Sequence, residues 1–457
     1  MKIMKGITKL AAVGLAIVML LVGIGIGYGV SFLAAAPGPA AQTITRTATV
    51  TTTVSGPAGA TITETKTVTV GAPAGGLSGE IPIGALLPLS GPLAAFGEND
   101  KISIQTAVDE VNDFLAKSGA NWRLRLYVED TETKPEVALE KLMSLHAKGV
   151  KVVIGPMGSG EVLKIKEYAD SNKILIISQS STSPKLWIEN DYVYRFVPND
   201  LAQGPIGPKF GKNLGVTHIF LVYLANPWGD GLAEVAEKTA KELGITVAGK
   251  FRIAEAAPDY SAEVSSLVSE VNKLVGQGVA PEKIMVQLIT YAEATTFMLS
   301  AREYDVLWRV KWFGSDGTAY EGTLIKEPKT AEFASSVRFV SPIFSPTKTP
   351  KYQELLKKIS SQVGRPPEPY AYNTYDAVWV VALSLLSSQK YDADAIISVM
   401  PRILEHYYGA SGYIVLDSAG DRIAADYELT EILKKDGTYE WAATGVYYGT
   451  TGEIAWK

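Results

Sequence analysis

From residue 80 onward, short apolar runs alternate with segments in which apolar residues recur every three or four positions. The first kind of segment predicts buried strands, and the second predicts amphipathic helices. Strands are predicted at residues 81–89, 123–130, 150–156 and 174–180, and helices at 102–115, 135–148 and 162–171. This alternation is typical of a parallel, doubly wound α/β sheet with helices on both faces.

The same pattern begins again in the middle of the chain. Strands are predicted at residues 218–223, 246–251 and 283–289, and helices at 232–243 and 261–276. Two such units predict two doubly wound, Rossmann-like lobes with a crevice between them, where ligands bind beyond the carboxyl ends of the strands.

The order of these segments also predicts how the chain is divided between the lobes. We expect lobe 1 to contain residues 80–199 and 340–411, with a helix at 372–388, and lobe 2 to contain residues 200–339 and 412–457. The chain would then cross between the lobes three times, which predicts a three-strand hinge and closure around a ligand.

The first 36 residues have a different character. Lys2, Lys5 and Lys9 precede residues 10–36, which carry no charge and would be about 40 Å long as a helix. A bilayer's hydrocarbon core is roughly 30 Å thick. The lysines predict that everything after this span is outside the cell. Two interpretations stay open: a retained N-terminal membrane anchor, which the length favours, and a signal peptide cleaved near residues 34–36.

Residues 37–79 are rich in threonine, proline and glycine. Two halves of this segment, TITRTATVTTTV and TITETKTVTV, resemble each other. Alternating Thr and Val have β-propensity, so a pair of strands is one interpretation. The segment has few large apolar residues, however, and this favours a stalk between the anchor and the following domain. The predicted domains are therefore 1–36, 37–79 and 80–457.

Composition excludes several kinds of chemistry. The 457-residue chain has a net charge of -5 and no cysteine, so it offers no basic surface for nucleic acid, no disulfide and no thiol nucleophile. The histidines His146, His218 and His406 are far apart and fit no metal-ligand spacing. No serine lies in a G-x-S-x-G motif. We therefore expect no enzyme activity, no cofactor and no metal.

Distinctive motifs follow the predicted strands. They are PLSGPLAAFGE at 88–98, GPMGSG at 155–160, SQSSTSPKL at 178–186, NPWGDG at 226–231, Tyr291, and GSDG at 314–317. Together and in this order, they resemble the leucine-binding-protein-like group of type 1 periplasmic binding proteins, which bind branched-chain amino acids and amides for ABC importers. The resemblance covers nearly all of residues 80–457 and implies a receptor for a small solute.

The resemblance implies that lobe 1 binds a carboxylate. Ser159 and Thr182 would donate hydroxyl and amide hydrogen bonds to it, and Ser180 would add main-chain contacts. The ends of strands and the starts of helices suit this role, because free N–H groups and the helix dipole favour an anion there. A simpler interpretation of each residue is a helix N-cap.

The resemblance implies that lobe 2 binds an ammonium group. Asp316 would face it, because a cation that leaves water needs an opposite charge. Phe96, Trp228 and Tyr291 would line the crevice and cover aliphatic groups or a cation. The simpler interpretations are an Asp-Gly turn for Asp316 and ordinary core positions for the aromatic residues.

These observations predict an extracytoplasmic, membrane-anchored protein at the cell surface. It would capture a branched-chain or related amino acid and deliver it to ABC permease subunits, as a monomer without a nucleic-acid partner. The alternatives are a receptor for a short amide or urea, a ligand-sensing surface receptor, and an α/β hydrolase. The missing nucleophile motif argues against the hydrolase, and the lack of a later apolar span or signalling domain argues against the sensor.

Overall fold

The computed structural model describes residues 49–55, 61–67, 76–423 and 426–457. The chain divides into two compact units, Met1–Ala74 and Gly75–Lys457. The apolar segment 10–36, predicted to be a membrane anchor or signal peptide, lies outside the described residues. Within the described ranges, no helix has the length and apolar character needed to cross a membrane.

In the first unit, the described residues form two antiparallel strands, β1 (Thr49–Ser55) and β2 (Thr61–Thr67). They belong to the two similar threonine-rich halves of the sequence. The strand pair was the less favoured interpretation of this segment, and the structure contains it. The role of residues 37–79 as a stalk stays a prediction.

The second unit contains the remaining described elements. The helices are α1 (Ala94–Lys117), α2 (Pro135–Ala147), α3 (Ser159–Asn172), α4 (Asp200–Gln203), α5 (Ile206–Asn213), α6 (Pro227–Glu242), α7 (Ser261–Gly276), α8 (Glu293–Ala301), α9 (Gly322–Lys326), α10 (Pro328–Ser336), α11 (Pro350–Val363), α12 (Tyr370–Ser388) and α13 (Ala393–Leu404). The strands are β3 (Gly79–Leu87), β4 (Trp122–Asp130), β5 (Val152–Ile154), β6 (Leu175–Ser178), β7 (Val193–Arg195), β8 (His218–Leu224), β9 (Thr246–Ile253), β10 (Ile284–Ile289), β11 (Lys311–Phe313), β12 (Ser341–Phe344), β13 (Tyr408–Gly409), β14 (Gly412–Tyr413), β15 (Tyr427–Lys435), β16 (Thr438–Tyr447) and β17 (Ile454–Trp456).

Strands β3 to β7 form a parallel five-stranded sheet in the order β4-β3-β5-β6-β7. Successive strand residues point to opposite faces. On β5, Val152 packs in a core with residues of α1, α12 and α13, whereas the neighbouring Val153 packs in a core with residues of α2 and α3. This explains why the central strands are apolar without interruption, since both faces are covered.

Strands β8 to β11 form a second parallel sheet in the order β11-β10-β8-β9. It is covered in the same way: Phe220 of β8 packs in a core with α7 and α8, and Leu221 packs in a core with α5 and α6. The prediction of parallel α/β sheets is confirmed, and α7 has the bounds predicted from the apolar pattern.

Helix α1 begins eight residues before its predicted start. Its first two turns contain Gly97 and charged residues, which hide the apolar period. Gly97 is needed there because a Cβ at this position would lie 2.1 Å from the Pro88 carbonyl oxygen. The close approach places the residues after β3 against the start of the helix.

An antiparallel sheet near the C-terminus, in the order β12-β15-β16-β17, was not predicted. Phe313 of the second parallel sheet forms a bridge with Val340, next to β12. Strands β15 and β16 are joined by Asp436 and Gly437, which both have positive φ. An Asp-Gly pair between two strands is a strong hairpin signal, so the sequence did carry this information.

A buried polar cluster joins distant parts of the chain; we call Arg195, Asp376, Ser411, Asp421 and Arg422 the arginine cluster. The Arg195 guanidinium donates two hydrogen bonds to the Asp421 carboxylate. Asp376 accepts hydrogen bonds from the Ser411 N–H and hydroxyl, at 2.8 and 2.6 Å, and from two further donors. Arg422 donates to the Ser411 hydroxyl at 2.9 Å.

Candidate functional site

A small cavity, the first cavity, lies where the carboxyl ends of the two parallel sheets meet. Its volume is about 20 Å³, which is enough for about one water molecule. Six of the seven predicted site residues line it: Phe96, Ser159, Ser180, Trp228, Tyr291 and Asp316. Leu93, Met157, Gly317 and Tyr370 complete the lining. The structure therefore brings together residues that are far apart in sequence.

Ser159 is the first residue of α3 and follows the end of β5 after the four-residue turn 155–158. Its hydroxyl oxygen accepts hydrogen bonds from the N–H groups of Thr182 and Ser183, at 3.2 and 3.1 Å. Both lone pairs of the hydroxyl are then occupied, and the O–H proton remains available for donation. An acceptor such as a carboxylate oxygen fits this side of the cavity.

Ser180 and Thr182, which both follow β6, differ in their positions relative to the cavity. Ser180 lines the cavity, and its hydroxyl donates to the Met157 carbonyl at 2.9 Å, which leaves main-chain atoms for other contacts. Thr182 is not among the lining residues. It lies behind Ser159 and beside Asp200, whose N–H donates to the Thr182 carbonyl at 2.8 Å. The Thr182 hydroxyl is buried and has no hydrogen-bond partner.

Asp316 lies on the opposite wall, after the end of β11, and is 4% exposed. One carboxylate oxygen accepts a hydrogen bond from the Tyr370 hydroxyl at 2.7 Å. The other carboxylate oxygen has no partner. Burial raises the pKa of this carboxyl above its usual range, against the opposing effect of the Tyr370 hydrogen bond. No Lys, Arg or His lines the first cavity, so a cationic group on a solute would supply the missing charge.

A second buried acid lies behind Asp316. Gln203 joins the two, because its side-chain oxygen accepts from the Asp316 N–H and its amide donates to Asp200, both at 2.8 Å. Burial and the charge of Asp316 raise the pKa of Asp200 well above its usual range, although the Thr182 hydroxyl, which is close but completes no hydrogen bond, and Arg195 act in the other direction. A cation beside these two carboxyls would favour their ionised forms and oppose both pKa shifts.

Aromatic rings form the remaining wall. Asn226 caps α6 by accepting the Gly229 N–H at 2.7 Å, and this places Trp228 in the first turn. The Trp228 and Tyr291 rings stack with centroids 4.6 Å apart and an angle of 18°. A Cβ on Gly317 would lie 2.9 Å from the Trp228 ring and 2.8 Å from the Tyr291 ring. The glycine therefore makes room for the stacked pair.

Sequence reasoning missed several residues of this site. Met157 and Gly317 stand inside motifs that were recognised, but they were not assigned to the cavity. Tyr370 was missed because it belongs to a segment that returns from a distant part of the chain, and the predicted helix began two residues later. Asp200 was missed because only its three-dimensional position beside Asp316 distinguishes it. Among the described residues, no group of three or more His, Cys, Asp or Glu could hold a metal ion.

Comparisons with known proteins identify the family of the chain. A model of the periplasmic binding protein family matches residues 80–438. An uncharacterized protein of Methanocaldococcus jannaschii is 33% identical over 395 residues, which cover 82% of this chain and 92% of that protein. A Leu/Ile/Val-binding protein of Rhizobium johnstonii is 25% identical over 374 residues, covering 80% of this chain and 92% of that protein.

Solved structures show the same fold. A leucine binding protein of Thermotoga maritima has a TM-score of 0.66 at 22% identity and covers 80% of this chain and 98% of its own. A branched-chain amino acid transporter substrate binding protein of Streptococcus pneumoniae, in complex with isoleucine, has a TM-score of 0.65 at 20% identity, with 79% and 99% covered. The resemblance found in the strand-end motifs is confirmed, and so is the prediction that the chain is not an enzyme. The chain belongs to the periplasmic binding protein family, whose members are extracytoplasmic solute-binding proteins, and it is similar to the leucine-binding, type 1 members.

Proposed function

We propose that this protein captures an amino acid, branched-chain or related, in the first cavity for an ABC importer. One observation carries the proposal: the same cavity is lined by Ser159, whose hydroxyl proton is free for donation, and by Asp316, one of whose carboxylate oxygens has no partner. An α-amino acid has a carboxylate for the first group and an ammonium for the second. Thr182 and the main chain near Ser180 would support the carboxylate, and Phe96, Trp228 and Tyr291 would cover the side chain.

The proposed cycle requires the walls of the cavity to separate. A volume of about 20 Å³ is several times too small for an amino acid. We propose that the two parallel sheets belong to two lobes, 80–199 with 340–411 and 200–339 with 412–457, joined by a three-strand hinge. The solute would enter an open form, and closure would bring both walls against it.

The wider role follows from the same proposal. Residues 1–36 would anchor the protein in the cell membrane, residues 37–79 would form the stalk, and the binding domain would be displayed on the outer side. Permease subunits in that membrane would receive the solute. The family, whose relatives include Leu/Ile/Val-binding proteins, supports the solute-binding role of residues 80–438, whereas the anchor and the stalk are proposed from the sequence of residues 1–79 alone.

A thermal-shift screen of the full-length protein tests the proposed solute class. Amino acids, short amides, urea, sugars and peptides would be added separately, because a ligand that binds only the native state raises the melting temperature. We expect an increase with amino acids, and the positive compound should then be titrated by calorimetry. An increase with amides or urea alone would contradict the proposal and favour the amide-receptor alternative.

Small-angle scattering tests the proposed closure. With a saturating amount of the amino acid identified in the screen, the radius of gyration should decrease, because only the closed form satisfies groups on both walls. Superimposable scattering curves with and without the amino acid would contradict the hinge.

A further inference from the structure

A second cavity lies beside the first and shares one wall with it. Its volume is about 200 Å³, which is room for several water molecules. It is bounded on one side by residues around the start of α3, including Glu161, and on the other by residues near the start of α6 and by Glu255. Tyr291 lines both cavities. The second cavity is therefore a neighbour of the first, and Tyr291 contacts both.

Glu161 lies at the base of this cavity and is 1% exposed. Its position in the first turn of α3 allows one carboxylate oxygen to accept the Gly158 N–H at 2.8 Å, which caps the helix. The other carboxylate oxygen has no hydrogen-bond partner. The Thr131 hydroxyl is close enough to lower the pKa of this carboxyl, but it completes no hydrogen bond with it. Helix capping therefore occupies one oxygen of Glu161, and the other has only the nearby Thr131 hydroxyl beside it and no cation.

The surroundings of Glu161 are acidic. Burial raises the pKa of its carboxyl to about 7, and the charges of Glu255 and Asp130 act in the same direction. Glu255 accepts a hydrogen bond from the Asn226 side chain and stands at the exposed edge of the cavity. No Lys, Arg or His lines the second cavity. Without a cation, a buried carboxylate of this kind is unfavourable, because desolvation has no compensating charge.

We propose that the second cavity binds a positively charged group at the distal end of the solute, so that the preferred solutes are amino acids with an ammonium or guanidinium side chain. The proposal rests on the proposed function, since the α-carboxylate and α-ammonium groups occupy the first cavity. Glu161 binds the distal cation from below and Glu255 from the edge. The methylene stem lies against the Tyr291 ring, which suits both aliphatic groups and a cation. The described residues offer no cluster of three acids for a metal ion, and this favours an organic cation.

Calorimetry on the full-length protein tests this inference with L-lysine, L-arginine, L-leucine and 1,5-diaminopentane as probes. We expect L-lysine or L-arginine to bind at least about tenfold more tightly than L-leucine, because a hydrogen bond to a charged group typically changes affinity by roughly ten- to a hundredfold. Glu161→Gln keeps an oxygen that can cap α3 but removes the charge. It should lower the affinity ratio of L-lysine to L-leucine at least about tenfold.

Two further variants separate the loss of a charge in the second cavity from a change in the protein's overall charge. Glu255→Gln, at the exposed edge, should lower the same ratio by a smaller factor. Glu234→Gln makes the same charge change on the exposed surface of α6, outside both cavities, and should leave the ratio unchanged. An equal effect of Glu234→Gln and Glu161→Gln would overturn the inference, since the protein's overall charge would then explain the preference.

The probes separate failure of this inference from failure of the proposed function. If L-leucine binds and L-lysine binds no better, the inference is overturned and amino acid capture stands. If the diamine binds, loses affinity in Glu161→Gln, and no amino acid binds, the cation site stands and the proposed amino acid function is wrong. If no probe binds, both are overturned.

Discussion

The buried carboxylates of the arginine cluster and those of the two cavities differ in their partners. In the arginine cluster, Asp421 receives two hydrogen bonds from a buried guanidinium, and Asp376 receives four from neighbouring groups. In the two cavities, Asp316 and Glu161 each keep one carboxylate oxygen without a partner. Burial raises the pKa of all four carboxyls, so desolvation alone does not distinguish them.

What distinguishes the two regions is whether both oxygens of each buried acid have hydrogen-bond partners within the chain. A buried acid whose role is structural has its partners within the chain, because an unpaired charge destabilises the fold. An acid that binds a solute must keep part of its capacity free until the solute arrives. The acids of the arginine cluster already have their partners, and we propose that those of the cavities gain theirs from a cationic solute. Changing one acid or its partner in each region tests this difference.

The largest effect on stability should come from Arg195→Met. This change removes the guanidinium and leaves Asp421 buried without its cation, so the free energy of unfolding should decrease by about 3–5 kcal/mol. Urea denaturation followed by circular dichroism measures it. The matched control is Arg252→Met, because Arg252 pairs with Asp230 at the surface and such pairs contribute about 1 kcal/mol or less. Equal free energies of unfolding in the two variants would show that the buried pair of Arg195 and Asp421 contributes no more to stability than a surface ion pair.

The largest effect on binding should come from Asp316→Ala. If the solute's ammonium lies against Asp316, its affinity should decrease by about 3–5 kcal/mol, or at least about a hundredfold. The free energy of unfolding should decrease less than in Arg195→Met, because no buried cation is left behind in the free protein. Calorimetric titration measures the affinity, and urea denaturation measures the free energy of unfolding. Asp316→Asn is the matched control for shape, since it retains an acceptor for the Tyr370 hydroxyl. An unchanged affinity in Asp316→Ala would remove Asp316 from the site.

Thr182→Ala should have a smaller effect. If the Thr182 hydroxyl turns toward the solute's carboxylate, its loss should decrease the affinity by about 1.5–3 kcal/mol. Ser384→Ala is a suitable control, because the Ser384 hydroxyl is also buried without a partner and lies on α12 outside both cavities. Identical affinities in the two variants would mean that Thr182 acts only through its main chain, by donating to Ser159.

A change of one pH unit should have the smallest effect. Because the pKa of Asp316 is raised, its carboxyl is partly protonated at acidic pH, and only the ionised form attracts an ammonium. Affinity for an amino acid should therefore increase with pH through this pKa and level off above it, by at most about tenfold per pH unit. Titrations between pH 5 and pH 8 measure the trend, and Asp316→Asn should abolish most of it. Tighter binding at the acidic end would contradict the assigned role.

Six of the seven predicted site residues line the first cavity, because most of them follow strands whose order can be read from periodicity; their role in binding stays a prediction. Ser159, Ser180, Tyr291 and Asp316 all stand just after apolar runs, and parallel strands bring their carboxyl ends to one edge. Thr182 also follows an apolar run, but it lies behind Ser159 and does not line the cavity. Whether Thr182 lines the cavity or lies behind Ser159 depends on the local path of the chain after β6, which no motif specifies.

Other parts depended on contacts between distant segments. Tyr370 reaches Asp316 from α12, and Glu161 became notable only because nothing satisfies one of its oxygens. The antiparallel sheet β12-β15-β16-β17 is a different case. Its Asp436-Gly437 turn was a readable signal, but the strand pattern around it is interrupted by charged residues such as Lys434 and Lys435. Hydrophobic periodicity finds strands with a continuous apolar pattern better than strands such as β15, whose last residues are charged and exposed.

The stacked pair of Trp228 and Tyr291 gives the molecule an intrinsic optical reporter. The chain has eight tryptophans, and Trp228 is the tryptophan that lines the first cavity. Indole emission depends on the polarity and the aromatic neighbours of the ring. A solute that enters beside this pair, or a movement that separates the two rings, therefore changes the fluorescence of the unlabelled protein. Stopped-flow mixing could resolve arrival of the solute and rearrangement of the walls as separate phases in time.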